Sequence, residues 1–421
     1  MKSYDIISFH PGRQHNFEQA AQLRKHFTSF KHITSLFFGS PVVEKWRKVL
    51  PPLGKMLGRR SFAIPSHSVD INPIPELKLL LRRKLIYNTT YSEFLRRNEA
   101  FQKWLIRSYA PPKVCIGFDT ASWEVFRKWK GSSFLVLDLS IALPQHKLTL
   151  ANEYGMDQSL INNLTKQDDC TYSVYEKEAQ LADLILCGSD FVKQSCLSAG
   201  ISEEKLFVLP YGINLERFHN KVPQTETQTI KIAFVGYVHY RKGADILLKA
   251  WAKVMKEFAH VELHFFGRVE MDLPRNLQRV FFHGFVEPSH LAHELRSAHI
   301  FVLPTFFEGS SLAVHQAMAM GLAVITTRNA GSIVEHLRNG LLVRYGLESE
   351  LVENIKILID NPNLRKSLAI QGQIDAQSCT WDRYGDSLSR LLNSQLTLGL
   401  PILEGKPEFT ESIEKTGKSY E

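Results

Sequence analysis

Two short stretches place charged residues at the entrances of helices. In FVGYVHYRKGADILL, Gly236 closes an apolar run, Arg241 and Lys242 follow, and Gly243 opens a segment of helical periodicity. A helix N-terminus offers unpaired N–H groups and the positive end of the helix dipole, so cations beside it make a seat for phosphate. In IFVLPTFFEGSSLAVHQAMAMGLAVI, Glu308 precedes Gly309, Ser310 and Ser311, and a second helix begins near Leu312. Ser310 or Ser311 is placed to cap that helix. Its free N–H groups are placed to hold a second set of phosphate oxygens. Glu308 beside them is an acceptor for hydroxyl groups, as on a sugar. Gln316 lies one turn inside the helix, able to point the same way; His315 is a polar helix position without a role. Neither stretch has the P-loop order or the Gly-x-Gly-x-x-Gly spacing. The plainer alternatives are a surface turn with two solvated cations, a carboxylate that only complements a helix dipole, and a partly buried amide.

The elements around these stretches alternate. Tyr4–His10, Ile33–Phe38, Val114–Phe118, Phe134–Leu139, Leu184–Cys187 and Leu206–Leu209 read as strands of a first series. Asn16, with Gln19 three residues on, reads as a capping box opening a helix after the loop HPGRQHN. Tyr175–Asp183 reads as a helix. The stretch from Gly39 to Pro112 is Pro-punctuated and helical in its second half. A polar linker with few core candidates, PYGINLERFHNKVPQTETQT, leads to a second series. Its strands are IKIAFVG, Val261–Phe266, Val280–Phe282, Ile300–Pro304 and Ala323–Thr326. Ala244, Leu247, Leu248, Trp251, Val254, Met255 and Phe258 form an apolar stripe at helical period between the first two. Alternation of this kind implies parallel sheets covered on both faces. Two series imply an α/β protein of two Rossmann-like doubly wound domains, with ligands at the loops on the carboxyl ends of the strands. The boundaries read as an N-terminal domain over 1–212, a linker over 213–228, a C-terminal domain over 229–378, a helix over 379–397 returning to the first domain, and a polar tail over 398–421.

At 421 residues, with 44 % hydrophobic and 22 % charged residues, the chain suits two soluble domains. No apolar run reaches the length of a membrane span, and the N-terminus lacks a signal-peptide pattern. The 5 cysteines, Cys115, Cys170, Cys187, Cys196 and Cys379, are scattered without a Cys-x-x-Cys pair, which implies a reducing cytoplasm and no zinc site. The net charge of +8 is uneven: 15 Lys and Arg stand against 5 Asp and Glu between Pro41 and Lys113. Apolar and basic residues interleave there, as on a surface that meets anionic lipid or an anionic acceptor; a solvated basic face is the alternative. No nucleic-acid-binding motif accompanies them.

Two phosphate seats, a hydroxyl acceptor and a cleft between domains suggest a ligand of nucleotide, diphosphate and sugar. The second half resembles the donor domain of the family 4 retaining glycosyltransferases (glycosyl transferases group 1), whose two-domain architecture is called GT-B. The resemblance rests on EAQLADLILCGSDFVKQS, PYGINLERF, FVGYVHYRKGADILLKAW, HGFVEPSHL and HIFVLPTFFEGSSLAVHQAMAMGLAVITTRNAGSIVEHLRNGLLV, in the family's order from Glu178 to Val343. HPGRQHNFEQAAQL is similar to the opening of some members. The resemblance implies that Glu308, the first acid of a Glu-x-seven-Glu motif, contacts the donor sugar. It implies that the backbone of Gly309, Ser310, Ser311 and Leu312 holds the diphosphate, and that Lys242 neutralises the leaving phosphate. Gly12 matches the small residue near donor and acceptor, Gly236 the strand-ending glycine of the donor site, and Phe285 and Val286 the backbone that meets the base. Two positions depart: the second acid is Gln316, and the Arg that commonly follows the strand-ending glycine is Tyr237. Arg241 is then the nearest replacement charge.

The resemblance also implies a reaction. An acceptor hydroxyl on a glycan, lipid-linked or small molecule attacks the anomeric carbon on the face that the nucleotide diphosphate leaves. Lys242, Arg241 and the helix N-terminus stabilise the charge on the phosphate, which takes the acceptor's proton. No cofactor or metal is expected beyond the nucleotide-sugar co-substrate, since QDDC, with Asp168 and Asp169, reads as a polar loop. On the acceptor side the candidates are Gly12, Arg13, His15, Asp138 and His146, with His10 nearby, and Arg13 is placed to meet an anionic acceptor. The expected setting is cytoplasmic, with peripheral contact on an anionic membrane. Two alternatives stay open: an epimerase or hydrolase of nucleotide sugars on the same architecture, and a non-catalytic partner of an active transferase, suggested by Gln316 and Tyr237.

Overall fold

The computed structural model describes residues 1–50, 54, 57–58, 60–85, 91–156, 158–165, 172–219 and 229–398. Cys170, the Asp168–Asp169 pair and the tail over 399–421 lie outside them, as does the linker over 220–228.

Short apolar runs become buried parallel strands. The first sheet contains β1 (Ile6–Phe9), β2 (Phe30–Thr34), β3 (Val69–Ile71), β4 (Val114–Phe118), β5 (Phe134–Leu139), β6 (Leu184–Cys187) and β7 (Leu206–Val208), in the order β3-β2-β1-β4-β5-β6-β7. The second contains β8 (Ile230–Val235), β9 (Val261–Phe266), β10 (Val280–Phe282), β11 (Ile300–Leu303), β12 (Ala323–Thr326) and β13 (Leu341–Leu342), in the order β10-β9-β8-β11-β12-β13. Each strand pair is parallel, with Ile6 opposite Val114 and Ile232 opposite Ile300 at the two central junctions. These junctions matter because strand order reverses there. The loops leaving β1 and β4, or β8 and β11, diverge and open a crevice. Gly12 follows β1, and Arg241 and Lys242 follow β8, while Glu308 follows β11.

Several local readings are corrected. The strand expected at Ile33–Phe38 is Phe30–Thr34: its pairing with β1, Ile6 opposite Phe30, sets the register, and Phe37 turns into the core beyond it. Val69–Ile71 and Leu341–Leu342 are strands too short to signal themselves. The Gly39–Pro112 stretch holds helices at Ser40–Val49, Ile74–Leu85 and Tyr91–Ser108. The Asn16–His26 helix has no capping box; His15 occupies the cap position without a side-chain bond. Asn16 is drawn inward instead, its Nδ2 3.1 Å from His32 Nε2. The start of the linker is not poor in core residues, because Tyr211, Ile213 and Phe218 are buried.

The chain returns at its end to the first domain. The Trp381–Leu398 helix packs along Asn16–His26 so closely that a Cβ on Gly385 would lie 2.6 Å from Gln22 Cβ. From it Tyr384 reaches the centre of the N-terminal domain.

Candidate active site

The loops after β8 and β11 are built as one unit. Gly236 leaves β8 at φ 132°, a conformation that suits glycine, and Tyr240–Lys242 forms a single 3-10 turn. Gly243 then adopts φ 70° as the cap of the Ala244–Glu257 helix. A Cβ there would lie 2.0 Å from Pro304 O, so the β8 loop rests directly on the end of β11. The Arg241 carbonyl accepts from Phe306 N at 2.8 Å and from Thr305 Oγ1 at 2.9 Å.

This junction brings three of the expected residues together. Arg241 Nη1 donates to Glu308 Oε1 at 2.6 Å and to Phe307 O at 2.7 Å. Lys242 Nζ lies 2.5 Å from the same Glu308 oxygen. Burial alone would push the Glu308 carboxyl up; Arg241 and Lys242 outweigh it and hold the carboxyl below the usual range. Burial lowers Lys242 from its ordinary value, against the pull of Glu308. The triad carries one net positive charge.

The loop that follows is fixed from both domains. Gly309 forms an antiparallel bridge with Ile141, and a Cβ on it would lie 1.9 Å from Ser140 O. Ser189 Oγ donates to Gly309 O, and Ala142 N to Glu308 O at 3.4 Å. Neither serine caps the helix, contrary to expectation. Ser310 Oγ turns to accept from Tyr211 N at 3.4 Å, and Ser311 holds the cap position with no side-chain bond. Ser311 N is occupied by Ala330 O at 3.1 Å. The N–H groups of Leu312 and Ala313, in the first turn of the Leu312–Ala319 helix, are those for which an α-helix has no acceptor of its own. Gln316 is half-buried on that helix. His315 is fully buried with both ring nitrogens unpartnered, and burial pushes its pKa down to about 4. Gly236 faces the Lys242 side chain, a Cβ there lying 3.4 Å from Cε. Phe285 and Val286 follow β10 at the sheet edge, Phe285 exposed, and Tyr237 is exposed beyond Gly236.

The N-terminal candidates fall into two groups. Asp138 and His15 meet each other, at 3.0 Å. Asp138 is buried and also accepts from Tyr211 OH at 3.0 Å, Gln19 Nε2 at 2.6 Å and Tyr384 OH at 3.2 Å. Burial would lower the pKa of the His15 ring, but the Asp138 carboxylate raises it. The His15 ring also lies against that of Tyr211, centroids 3.9 Å apart. This carboxylate therefore joins β5, the first helix, the linker and the returning helix. His10 is buried under the first loop, accepts from Gly12 N at 3.1 Å, and is pushed to about 3 by burial. His146 is half-buried, its ring 5.6 Å from that of Phe191, which meets Phe307 at 5.7 Å.

Gly12 and Arg13 belong to a second group that carries residues the sequence reading missed. A Cβ on Gly12 would stand 4.0 Å from Arg97 Nη1. Arg97 and Arg60 share one carboxylate, Glu76, at 2.8 and 2.9 Å. Arg13 Nη1 reaches Gly58 O at 3.4 Å. Arg97 sits on a helix with no motif, so only the fold reveals its place beside Gly12. Among the described residues no group of three His, Cys, Asp or Glu side chains is arranged to hold a metal ion.

Residues 229–361 match the family described as Glycosyl transferases group 1. An uncharacterized glycosyltransferase of Haemophilus influenzae is 31 % identical over 156 residues, 34 % of this chain and 43 % of that protein. An uncharacterized glycosyltransferase of Methanocaldococcus jannaschii is 25 % identical over 279 residues, 65 % of this chain and 70 % of that protein. The chain thus spans less than half the length of the first relative. The crystal structure of Anabaena Alr3699/HepE in complex with UDP and glucose matches with a TM-score of 0.58 at 14 % identity, over 93 % of this chain and 100 % of that one. At that identity the likeness is one of fold: two Rossmann-like domains facing across a cleft, the GT-B architecture. In its C-terminal domain, over residues 229–361, the chain is thus similar to the glycosyl transferases group 1 family.

Proposed function

We propose that this protein is a retaining, metal-independent glycosyltransferase that moves a sugar from a nucleotide-diphosphate sugar to a hydroxyl of a glycan, lipid-linked or small-molecule acceptor. The observation that carries the reading is the Arg241–Lys242–Glu308 triad at the junction of β8 and β11. Two cations meet Glu308 just ahead in sequence of the first turn of Leu312–Ala319, a charge arrangement suited to a diphosphate, with the carboxylate as a sugar-hydroxyl acceptor.

The chemistry follows from that charge arrangement. The bond between the anomeric carbon and the diphosphate oxygen breaks, and the electron pair leaves with the diphosphate. Lys242, Arg241 and the helix N–H groups stabilise it, at a site already ordered before reaction. The acceptor oxygen bonds to the anomeric carbon from the same face, and its proton passes to the departing phosphate oxygen. Glu308 holds both cations in place and takes hydroxyls of the donor sugar. Phe285 and Val286 offer backbone to the base, and Gln316 an amide to the ribose. On the acceptor side Gly12 leaves room beside the donor. Arg13 and Arg97 favour an acceptor that carries negative charge. His15 and Asp138 act here as braces of the N-terminal domain.

Gln316 and Tyr237 give the non-catalytic reading its own observation, since charge is missing at both. An epimerase or hydrolase of nucleotide sugars would use the same seats without an acceptor. The test is nucleoside diphosphate release from a panel of nucleotide sugars with and without acceptors, followed by NMR of the product's anomeric configuration. Release only with acceptor, and configuration retained, is expected. Release without acceptor, or an inverted product, contradicts the reading.

A further inference from the structure

The Lys242 and Glu308 side chains are 12 and 13 % exposed, so an anion that reaches them must displace something. Two short helices of the N-terminal domain rest beside them. After β5 the chain is pinned at Leu143, whose N–H donates to Ser195 Oγ at 3.0 Å. It then forms His146–Glu153 and Gln158–Thr165, turning between them at Gly155 with φ 59°. Lys147 Nζ donates to Leu164 O at 3.4 Å and ties the two helices together. Gln158–Thr165 packs against the Tyr240–Lys242 turn. Tyr154, between the helices, donates from its OH to Asn329 Oδ1 at 3.3 Å. Its ring centroid lies 5.7 Å from that of Tyr345 and 6.4 Å from that of Phe306. Lys147 Nζ lies 5.2 Å from the centroid of the Phe307 ring. The pair thus touches the loops that leave β8, β11, β12 and β13.

The domain junction nearby is built on backbone. Ile141 and Gly309 form a β-bridge, and Ser189 Oγ donates to Gly309 O. Tyr211 N donates to Ser310 Oγ at 3.4 Å, and a Cβ on Gly331 would lie 2.5 Å from Ser189 Oγ. Parting the domains would break these contacts together. The contacts of Tyr154 and Lys147 are instead made by side-chain ends: a neutral hydrogen bond, tilted aromatic rings and a cation over a ring. Leu148, Thr149, Asn152 and Glu153, on the first helix of the pair, are exposed. An element held in this way opens at a lower free energy than a junction anchored on strands.

We propose that His146–Glu153 and Gln158–Thr165 form a lid on the Arg241–Lys242–Glu308 seat. The lid swings on its stem at Leu143, with Tyr154 as the latch, while the Ile141–Gly309 bridge keeps the domains joined. Opening breaks the Tyr154–Asn329 bond and bares the Tyr240–Lys242 turn. Closing returns the helices over the anion that has entered and excludes water around it. As the way in for a nucleotide diphosphate, the lid rests on the transferase reading; as a motion of the free protein, it does not.

The test is hydrogen–deuterium exchange by mass spectrometry on the full chain, free and with inorganic pyrophosphate, for wild type and Tyr154→Phe. In the free protein, 146–165 and 240–244 are expected to exchange through one shared opening, at least about ten-fold faster than 134–142 and 306–311. Tyr154→Phe keeps the ring and deletes the latch hydroxyl. It is expected to speed exchange about five-fold at 146–165 and 240–244 and to leave 134–142 and 306–311 unchanged. Pyrophosphate is expected to slow exchange at 240–244 in both proteins. Protection of 146–165 equal to that of 134–142 overturns the proposal. So does an opening that 306–311 shares, which is domain parting, or wild-type exchange at 240–244 in Tyr154→Phe. Opening is read without ligand, so the lid is upheld even where pyrophosphate fails to slow 240–244, a result that counts against the transferase reading alone.

Discussion

Lys242 and Glu308 face each other across the junction of β8 and β11, Nζ to Oε1 at 2.5 Å, with Arg241 on the same oxygen at 2.6 Å. The pair is partly buried, and each residue is held by a loop whose backbone is locked to the other. Replacing Lys242 by Met should lower kcat by about a hundred-fold or more and weaken donor binding as well, because in the proposed mechanism its charge meets the diphosphate both bound and departing. Glu308→Gln should abolish turnover and cost about 2 kcal/mol of stability, since two cations lose their shared carboxylate. Steady-state kinetics and urea unfolding read the two effects. A Lys242→Met enzyme with near-normal kcat would refute this role.

At Gln316 a substitution should bring a gain. Gln316→Glu restores a charged acceptor for ribose hydroxyls and should tighten donor binding about five-fold, with turnover present before and after. The measurement is donor KM. Turnover that appears only in the variant would support the non-catalytic reading instead.

Gly243 tests the backbone of the proposed phosphate loop. Its φ of 70° and the 2.0 Å approach to Pro304 O leave no place for a Cβ. Gly243→Ala should cost about 2–3 kcal/mol and weaken nucleotide binding as well. A neutral effect on the urea midpoint would show that the loop relaxes freely.

Two buried histidines set opposite pH trends. His315 is pushed down to about 4 by burial. Its neutral form is favoured by folding, so its contribution is full above 6.5 and is lost as pH falls from 6.5 toward 4. His315→Met should therefore lessen acid sensitivity in that window. His15 is raised, with burial opposing and Asp138 prevailing. Its contribution is full below 6.5 and is lost as pH rises through the folded value, so His15→Gln should flatten the decline on the alkaline side. Urea midpoints at pH 5, 7 and 9 measure both, and parallel profiles for variant and wild type would contradict the assignments.

The Arg241–Lys242–Glu308 junction was legible because it lies on strand-ending loops beside strong helical periodicity. FVGYVHYRKGADILL and FEGSSL announce themselves by glycine and charge, and Phe134–Leu139 or Val261–Phe266 by apolar runs bounded by turns. The polar centre of the N-terminal domain was not, because its contacts are made at long range. Asp138 and His15 look like free polar loop residues in sequence, yet each finds the other 123 positions away, and Tyr384 joins from the end of the chain. Asn16 and Ser311 carry capping chemistry, but tertiary partners or close packing override it. Arg97 has no local signature. Trp46 and Val49 on Ser40–Val49, and Ile74 and Leu81 on Ile74–Leu85, show the converse limit: they are exposed, because periodicity reveals an apolar face without saying which way it points.

The central claim is that the triad and its helix hold a nucleotide diphosphate. A thermal-shift screen of nucleoside diphosphates and nucleotide sugars, in chelator, on wild type and Lys242→Met tests it most directly. A saturable rise in melting temperature is expected with at least one nucleotide, much reduced in the variant. Failure of every nucleotide to stabilise the wild-type protein would contradict it.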